Sequence, residues 1–371
     1  MAVVTTVHVP GDTRIWHKQV GSLARNGYQV HYVAPDLAEF STANQVVLHD
    51  LGPRVQTPAS RIGRIRRAVG VVRRLRPDII HFHDPELLPA MTAASRGLDS
   101  ALVYDIHENV RQQLRIKPWL PGRLRPVAAA VYGVMESLCL RAVDSLVLAE
   151  DSYSQEYVGR ERVIVKNYPI ADRVADAARS LPAAPTICYV GGVSVERGAL
   201  DLMKAFRILA GRMNGLSLVL AGPIMAPLTK EILLEELSGT GLEERVRIPG
   251  RVPLDEAYSL MAQAAVGVAP LRAVGNYVGS LPTKMFEYMS CALPVVVSGF
   301  PMWSDIVDEA GCGCCFTPGD PEDLAVRIGT VLGDEASYRV MSENALAAIG
   351  DRYNWNHEAA KLLDLYRRIT R

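Results

Sequence analysis

Short β-branched and aliphatic runs alternate with stretches of helical spacing along the whole chain. This pattern predicts parallel sheets covered by helices. Residues 3–9, 28–34, 78–83, 102–106, 145–149 and 163–165 read as strands of a first sheet, with a helix over 15–26 stopped by Gly27. The alternation pauses over 170–185, a small and polar stretch (IADRVADAARSLPAAP) that reads as a linker. It begins afresh at 186–190, 216–221, 246–248, 265–270 and 294–298, with helices over 199–212 and 321–332, the latter capped by Asp320, and a last one after Trp355. A second α/β unit restarting at mid-chain implies two similar sheets facing each other across a cleft. The expected domains are 1–170 and 171–354.

Composition narrows the function classes. A length of 371 residues exceeds one comfortable core, and 49% hydrophobic with 22% charged residues is ordinary for a globular protein. Forty basic and forty acidic residues cancel, so no net field favours nucleic acid. The longest mostly apolar stretch, 127–149, is cut by Glu136, Arg141 and Asp144, which argues for a core helix and strand over a membrane span. The start lacks a basic n-region and a small-residue cleavage site, so no signal peptide is expected, and a cytoplasmic protein is. Cys312, Cys314 and Cys315 cluster without CxxC spacing or a second pair, so a structural turn is expected there, with no metal.

The basic stretch 61–76 (RIGRIRRAVGVVRRLR) carries Ile62, Ile65, Val69, Val72 and Leu75 at helical spacing. It reads either as a solvated helix packed on the sheet or as a peripheral contact with an anionic membrane or acceptor. Trp119-Leu120-Pro121-Gly122 could add an apolar loop tip to that contact.

Candidate chemistry gathers at expected carboxyl ends of strands, where open α/β sheets bind ligands. In the first half these positions hold Gly11, His83, His107 and Glu108. In the second half, Gly191-Gly192-Val193-Ser194-Val195-Glu196-Arg197-Gly198 follows a strand and precedes a helix. Such a turn brings backbone N–H groups close to phosphate, and Arg197 adds a forked cationic donor. It is neither GxGxxG nor a Walker A. Further on, Asn276 and Ser280-Leu281-Pro282-Thr283 lead into a short helix on which Lys284 and Glu287 share a face. Taken alone, that pair fits an exposed ion pair. It also fits a phosphorylated sugar ligand, with Lys284 and the helix N-terminus on phosphate and Glu287 accepting from vicinal hydroxyls.

The residues resemble one family from end to end. Asp12-Thr13-Arg14, Tyr104-Asp105-Ile106-His107-Glu108, Lys166-Asn167, Tyr189-Val190-Gly191-Gly192, Glu196-Arg197-Gly198 and Ser280-Leu281-Pro282-Thr283-Lys284-Met285-Phe286-Glu287-Tyr288-Met289 are similar to motifs of the family-4 retaining glycosyltransferases of GT-B architecture. The resemblance implies two Rossmann-like domains with the nucleotide-sugar donor in the cleft, and a last helix, 355–371, crossing back onto the first domain. By the same analogy Glu287 holds the donor ribose, while Arg197 and Lys284 bind the diphosphate. His107 lies near the transferred sugar, Gly11 lies by the diphosphate and acceptor, and Arg251 and Val252 meet the base. Uridine is the expected base, and no metal or other cofactor is expected. The acceptor stays open between a lipid-linked sugar, a polysaccharide and a secondary-metabolite aglycone. Two departures stand out. Gly279 occupies the place, eight before Glu287, where members often carry an acidic residue on the donor sugar, and Gly191-Gly192 replaces the common Gly-Arg. A nucleotide-sugar epimerase and a non-catalytic sugar-nucleotide-binding subunit are the rival readings.

Overall fold

The computed structural model describes every residue except 42–45, 56, 108, 117–120, 171–174, 276 and 370–371. The expected substrate residues Glu108 and Asn276, and Trp119 and Leu120 of the proposed loop tip, lie outside the described residues.

The chain divides into two compact units, one of Met1–Asn167 with Trp355–Arg371 and one of Tyr168–Asn354. The first unit holds strands β1 (Ala2–Val4), β2 (His31–Ala34), β3 (Val47–Asp50), β4 (Ile79–Phe82), β5 (Ala101–Ile106), β6 (Ser145–Leu148) and β7 (Arg162–Ile164). They form one parallel sheet in the order β3-β2-β1-β4-β5-β6-β7. The second unit holds β8 (Thr186–Val190), β9 (Ser217–Ala221), β10 (Val246–Gly250), β11 (Val266–Ala269), β12 (Val295–Ser298) and β13 (Gly313–Phe316). Its sheet is also parallel, in the order β10-β9-β8-β11-β12-β13. Strand order therefore reverses between β1 and β4 in one sheet and between β8 and β11 in the other. Right-handed crossovers diverge at such a point and open a crevice at the strands' carboxyl ends.

Apolar runs without alternation make these strands. β4, β6, β11 and β12 are buried at every position, as helices on both faces require. The last helix, Trp355–Ile369, belongs to the first unit, where Leu362, Leu365 and Tyr366 are buried and the Trp355 indole donates to Ser22 Oγ at 2.8 Å.

Two local expectations are corrected. The first strand ends at Val4, because Thr5 and Thr6 turn to donate hydroxyls to the buried Asp84 carboxylate. A further helix, Pro301–Ala310, has its proline in the first turn. Cys314 and Cys315 lie in strand β13, not in a turn, and all six cysteines are free thiols. β3 and the helix Glu335–Asp351 carried no clear pattern, β3 being short and half exposed.

The basic stretch forms the helix Pro58–Leu75. Its apolar face packs into the first core through Ala68, Val71 and Val72, and Arg64 is wholly buried, donating to the carbonyls of Thr6, Pro53 and Val55. Ile62 is its one large exposed apolar side chain among the described residues. No described helix is long and apolar enough to cross a membrane.

Candidate active site

β8 delivers the chain into the glycine turn, and the backbone there is packed against other backbone. Gly191 has φ +134° and donates to Ala221 O at 2.7 Å. Gly222, at φ +150°, lies so close that a β-carbon on it would stand 1.9 Å from Gly191 O. At the far end of the turn, Gly198 (φ +72°) would put a β-carbon 1.7 Å from Pro270 O. Only glycine fits these approaches. The Tyr189 hydroxyl, donating to Gly192 O at 2.6 Å, pins the turn from below.

The second half of this site comes from the segment after β11. Ser280 to Pro282 lead into the helix Thr283–Ser290, whose first turn has no side-chain cap. The Trp303 indole donates to Ser280 O at 2.9 Å and holds the approach in place. Lys284, in that first turn, reaches back to the glycine turn. A β-carbon on Gly191 would lie 2.1 Å from Lys284 Cε and 2.4 Å from its Nζ. Arg197 comes from the other side, with its guanidinium carbon 5.9 Å from the centre of the Tyr277 ring. Arg197, Tyr277, Leu281, Thr283, Lys284 and Trp303 line a cavity of about 120 Å³.

Electrostatics show which charge this cavity favours. Burial, and then repulsion from Arg197, lower the Lys284 amine from 10.5 to about 8, while Glu287 pulls the other way. Two cations and uncapped helix amides about one small space favour negative charge there. The helix, Lys284 and the glycine turn also occupy the two sides of the β8/β11 reversal, where a doubly wound sheet binds its ligand.

The other expected donor residues fall around this core. Gly192 lies in the turn, and a β-carbon there would stand 3.1 Å from Met225 Sδ. Ser280, Leu281 and Thr283 are half exposed at the cavity, with Pro282 buried beneath. Glu287 is half buried one turn beyond Lys284. Arg251 and Val252 follow β10, tied to the rest by Gly222 N donating to Gly250 O at 2.7 Å. Tyr277 and Trp303, which also line the cavity, were not expected. An aromatic in the loop before a Lys/Glu helix is the signal that would have found Tyr277.

In the first unit the expected residues take unequal parts. Gly11 is exposed after the β1 loop. Asp12 caps the helix beginning at Thr13, accepting from the amides of Arg14 and Ile15. Arg14 is a buried strut. Its guanidinium donates to Val165 O at 2.8 Å and to Asp105 Oδ1 at 3.0 Å. His107 is half exposed at the end of β5, with its Nε2 3.4 Å from Asp105 Oδ1 and 3.1 Å from His83 Nδ1.

Behind His107 lies a polar cluster that motif reading did not see. Asp105 is fully buried, accepts from Gln19 Nε2 and lies 3.6 Å from His81 Nε2. Burial pushes its carboxyl up, but Arg14 and then His107 bring it well below the usual carboxylate range. His81, joined to the Tyr366 hydroxyl, and His83 are both lowered by burial and so stay neutral. His81, His83 and Asp105 offer ligand atoms within 4.8 Å of one another. With Arg14 already on the same carboxylate, a cation there would meet a guanidinium, so the cluster is poorly suited to metal.

Comparison with known proteins decides the family. Residues 3–158 match the model described as Glycosyltransferase Family 4, and residues 184–334 match that of Glycosyl transferases group 1. The chain belongs to the family-4, group-1 glycosyltransferases. This glycosyltransferase is 24% identical over 347 residues to a glycogen synthase of Mycobacterium tuberculosis, covering 92% of this chain and 80% of that one. Its fold is GT-B. It superposes with a TM-score of 0.73 on sucrose-phosphate synthase from Thermosynechococcus elongatus, at 16% identity and covering 99% of this chain and 98% of that one. For Anabaena HepE in complex with UDP and glucose the TM-score is 0.72, at 16% identity over 99% of both chains. As a member of this family the protein is a retaining enzyme that transfers a sugar from a nucleotide-sugar donor.

Proposed function

We propose that the enzyme takes a hexosyl or N-acetylhexosaminyl unit from a UDP-sugar to an acceptor hydroxyl, using Arg197 and Lys284 to draw off the diphosphate. The observation that carries this reading is the contact of Lys284 with the Gly191 turn, where burial and the neighbouring Arg197 disfavour the charged amine that a diphosphate would favour. A UDP complex described for HepE supports uridine as the base.

Departure of the diphosphate is the step that needs help, because breaking the bond to the sugar puts one more negative charge on its terminal phosphate. Arg197, Lys284 and the amides opening the helix Thr283–Ser290 each stabilise that charge, at about 2–4 kcal/mol per donor. Glu287 accepts from the ribose hydroxyls, and backbone near Arg251 and Val252 meets the base. His107 lies by the transferred sugar. No enzyme nucleophile is placed, so the leaving phosphate itself takes the acceptor proton on the same face of the sugar, and configuration is retained. The acceptor is a lipid-linked sugar, a polysaccharide or a secondary-metabolite aglycone.

The test is a panel of nucleotides in thermal unfolding, followed by turnover with the donor that binds. UDP should raise Tm more than GDP or ADP, and Lys284→Ala and Arg197→Ala should each remove both the shift and the turnover. Unchanged turnover in either variant would sink the assignment.

A further inference from the structure

The crevice at the β1/β4 reversal of the first unit holds a histidine with no part in the donor chemistry. His8 follows β1, and its ring centre lies 5.2 Å from that of His107 at the end of β5. Around them His81, His83, Asp84 and Asp105 are all buried. Of this group only His8 and His107 reach solvent, with 27% and 19% of their side chains exposed. His81 is the structural case, wholly buried and joined to the Tyr366 hydroxyl. His8 is built differently.

Its neighbours fix where the ring hydrogen sits. Burial pushes the Asp84 carboxyl up, but His8 and the hydrogen bonds of Thr6 and Thr5 bring it below its ordinary value, so it is ionised and only accepts. Thr5 Oγ1 donates its one hydrogen to Asp84 Oδ2 at 2.9 Å. At its 3.0 Å contact with His8 Nδ1 it must therefore accept, and Nδ1 carries the hydrogen. Asp84 Oδ1, 3.0 Å from the same nitrogen, favours that tautomer. In the neutral ring this leaves Nε2 as a bare lone pair, with no partner among the described residues.

The chemistry that suits Nε2 is a hydroxyl. Burial pushes the ring's pKa down, and Asp84, Asp12 and Asp105 together carry it above its ordinary value. Protonation turns Nε2 from acceptor to donor, and a hydroxyl serves both states because it donates and accepts. A carboxylate or phosphate serves only the charged ring, and it meets those three carboxylates as well. We propose that His8 Nε2 holds a hydroxyl of the acceptor other than the one that attacks, so that the acceptor is itself a sugar. This rests on the reading of the protein as a UDP-sugar transferase, in which the attacking hydroxyl gives its proton to the leaving phosphate and His107 lies by the transferred sugar. A lipid-linked sugar and a polysaccharide both offer a second hydroxyl beside the first. An aglycone with a single hydroxyl has none left for His8.

Transfer assays on the full chain test this. UDP-glucose and UDP-N-acetylglucosamine are offered with methyl and octyl glycosides of glucose and mannose, and with 1-octanol. A rise in Tm with UDP checks the donor reading separately, and its absence would sink that reading and this proposal with it. Transfer to a glycoside and not to octanol is expected. Octyl glycosides alone as acceptors would identify a lipid-linked sugar, and methyl glycosides as well a polysaccharide. His8→Asn keeps a donor where Nδ1 stands and removes Nε2. It should raise the acceptor KM roughly fivefold, the worth of one neutral hydrogen bond, and lower kcat less. His8→Gln, which keeps an acceptor near Nε2, should fall between. An unchanged Tm rise with UDP verifies that both variants fold. Octanol accepting as readily as a glycoside, no glycoside accepting from enzyme that binds UDP, or an unchanged KM in His8→Asn would each overturn the proposal. So would a fall in kcat alone, which would make His8 the base for the attacking hydroxyl.

Discussion

Lys284 and Gly191 occupy one space: a single methyl group on the glycine would stand 2.1 Å from the lysine's Cε. Gly191→Ala must therefore expel the amine from the turn, and its φ of +134° strains any β-carbon as well. The backbone strain should cost about 1–3 kcal/mol of stability. The more telling loss is of UDP, whose affinity should drop at least about tenfold, since one charge-assisted contact is worth roughly 1.5–3 kcal/mol. Isothermal titration of both proteins reads this directly, and equal UDP affinity would show that the amine does not need the turn.

Lys284 has a second consequence, in pH. Its amine is lowered from 10.5 to about 8, so the unfolded chain holds this proton more tightly than the folded one. A charged Lys284 thus costs stability at neutral pH, and the cost fades as pH rises through 8 toward 10.5. Lys284→Met should raise the Tm of the ligand-free protein by roughly 2 °C or more at pH 7. It should also abolish stabilisation by UDP. In wild type, diphosphate affinity should fall roughly tenfold between pH 7 and 9.5, as the amine loses its proton. Calorimetry across that range, with the methionine variant as the flat reference, settles the sign.

The parts of this molecule that a reader of the sequence could foresee are those with one-dimensional signals. Strands β4, β6, β8, β11 and β12 are mostly apolar runs, and Lys284 and Glu287 sit in one continuous motif. The cluster behind His107 had no such signal. Asp105 is met by Arg14 from 91 positions away and by Gln19 from 86, and Tyr366 reaches His81 from 285 away. Spacing along a chain says nothing about such meetings. The buried face of the helix Arg125–Cys139 was not legible for a different reason. Its apolar content was visible, but which side of it packed was not, and a buried Glu136 reverses the usual assignment.

Asp105 and Arg14 carry the third prediction. Arg14→Met leaves a fully buried carboxylate without its main cation and should cost about 3–5 kcal/mol. The pH dependence distinguishes this from simple loss of packing. In wild type the Asp105 carboxyl is held well below its usual range, so its contribution is full above that range and disappears only as strong acid protonates it. Without Arg14 its pKa rises, and mild acid relieves the buried charge. The deficit seen in urea unfolding at pH 7 should shrink by pH 4.5. A deficit independent of pH would mean that Asp105 is not the group left stranded.

Gly279 allows a gain instead of a loss. It lies at the exposed end of the segment before the Lys284 helix, has no positive φ, and has open space where a side chain would go. Nothing in its backbone calls for glycine, so the fold leaves room for an acidic side chain there. Gly279→Glu should accordingly fold as wild type and bind UDP, which lacks the transferred sugar, within about twofold, a surface substitution being nearly neutral. It should change the binding of UDP-sugars one from another, because a carboxylate facing sugar hydroxyls ranks donors by which hydroxyls they can donate. A hydrogen bond to a charged group is worth about 1.5–3 kcal/mol, so at least one UDP-hexose should shift by tenfold or more relative to UDP. Competition titration of several UDP-sugars against both proteins measures that ranking. An identical ranking would mean that the sugar lies out of reach of position 279, and that discrimination resides elsewhere in the site.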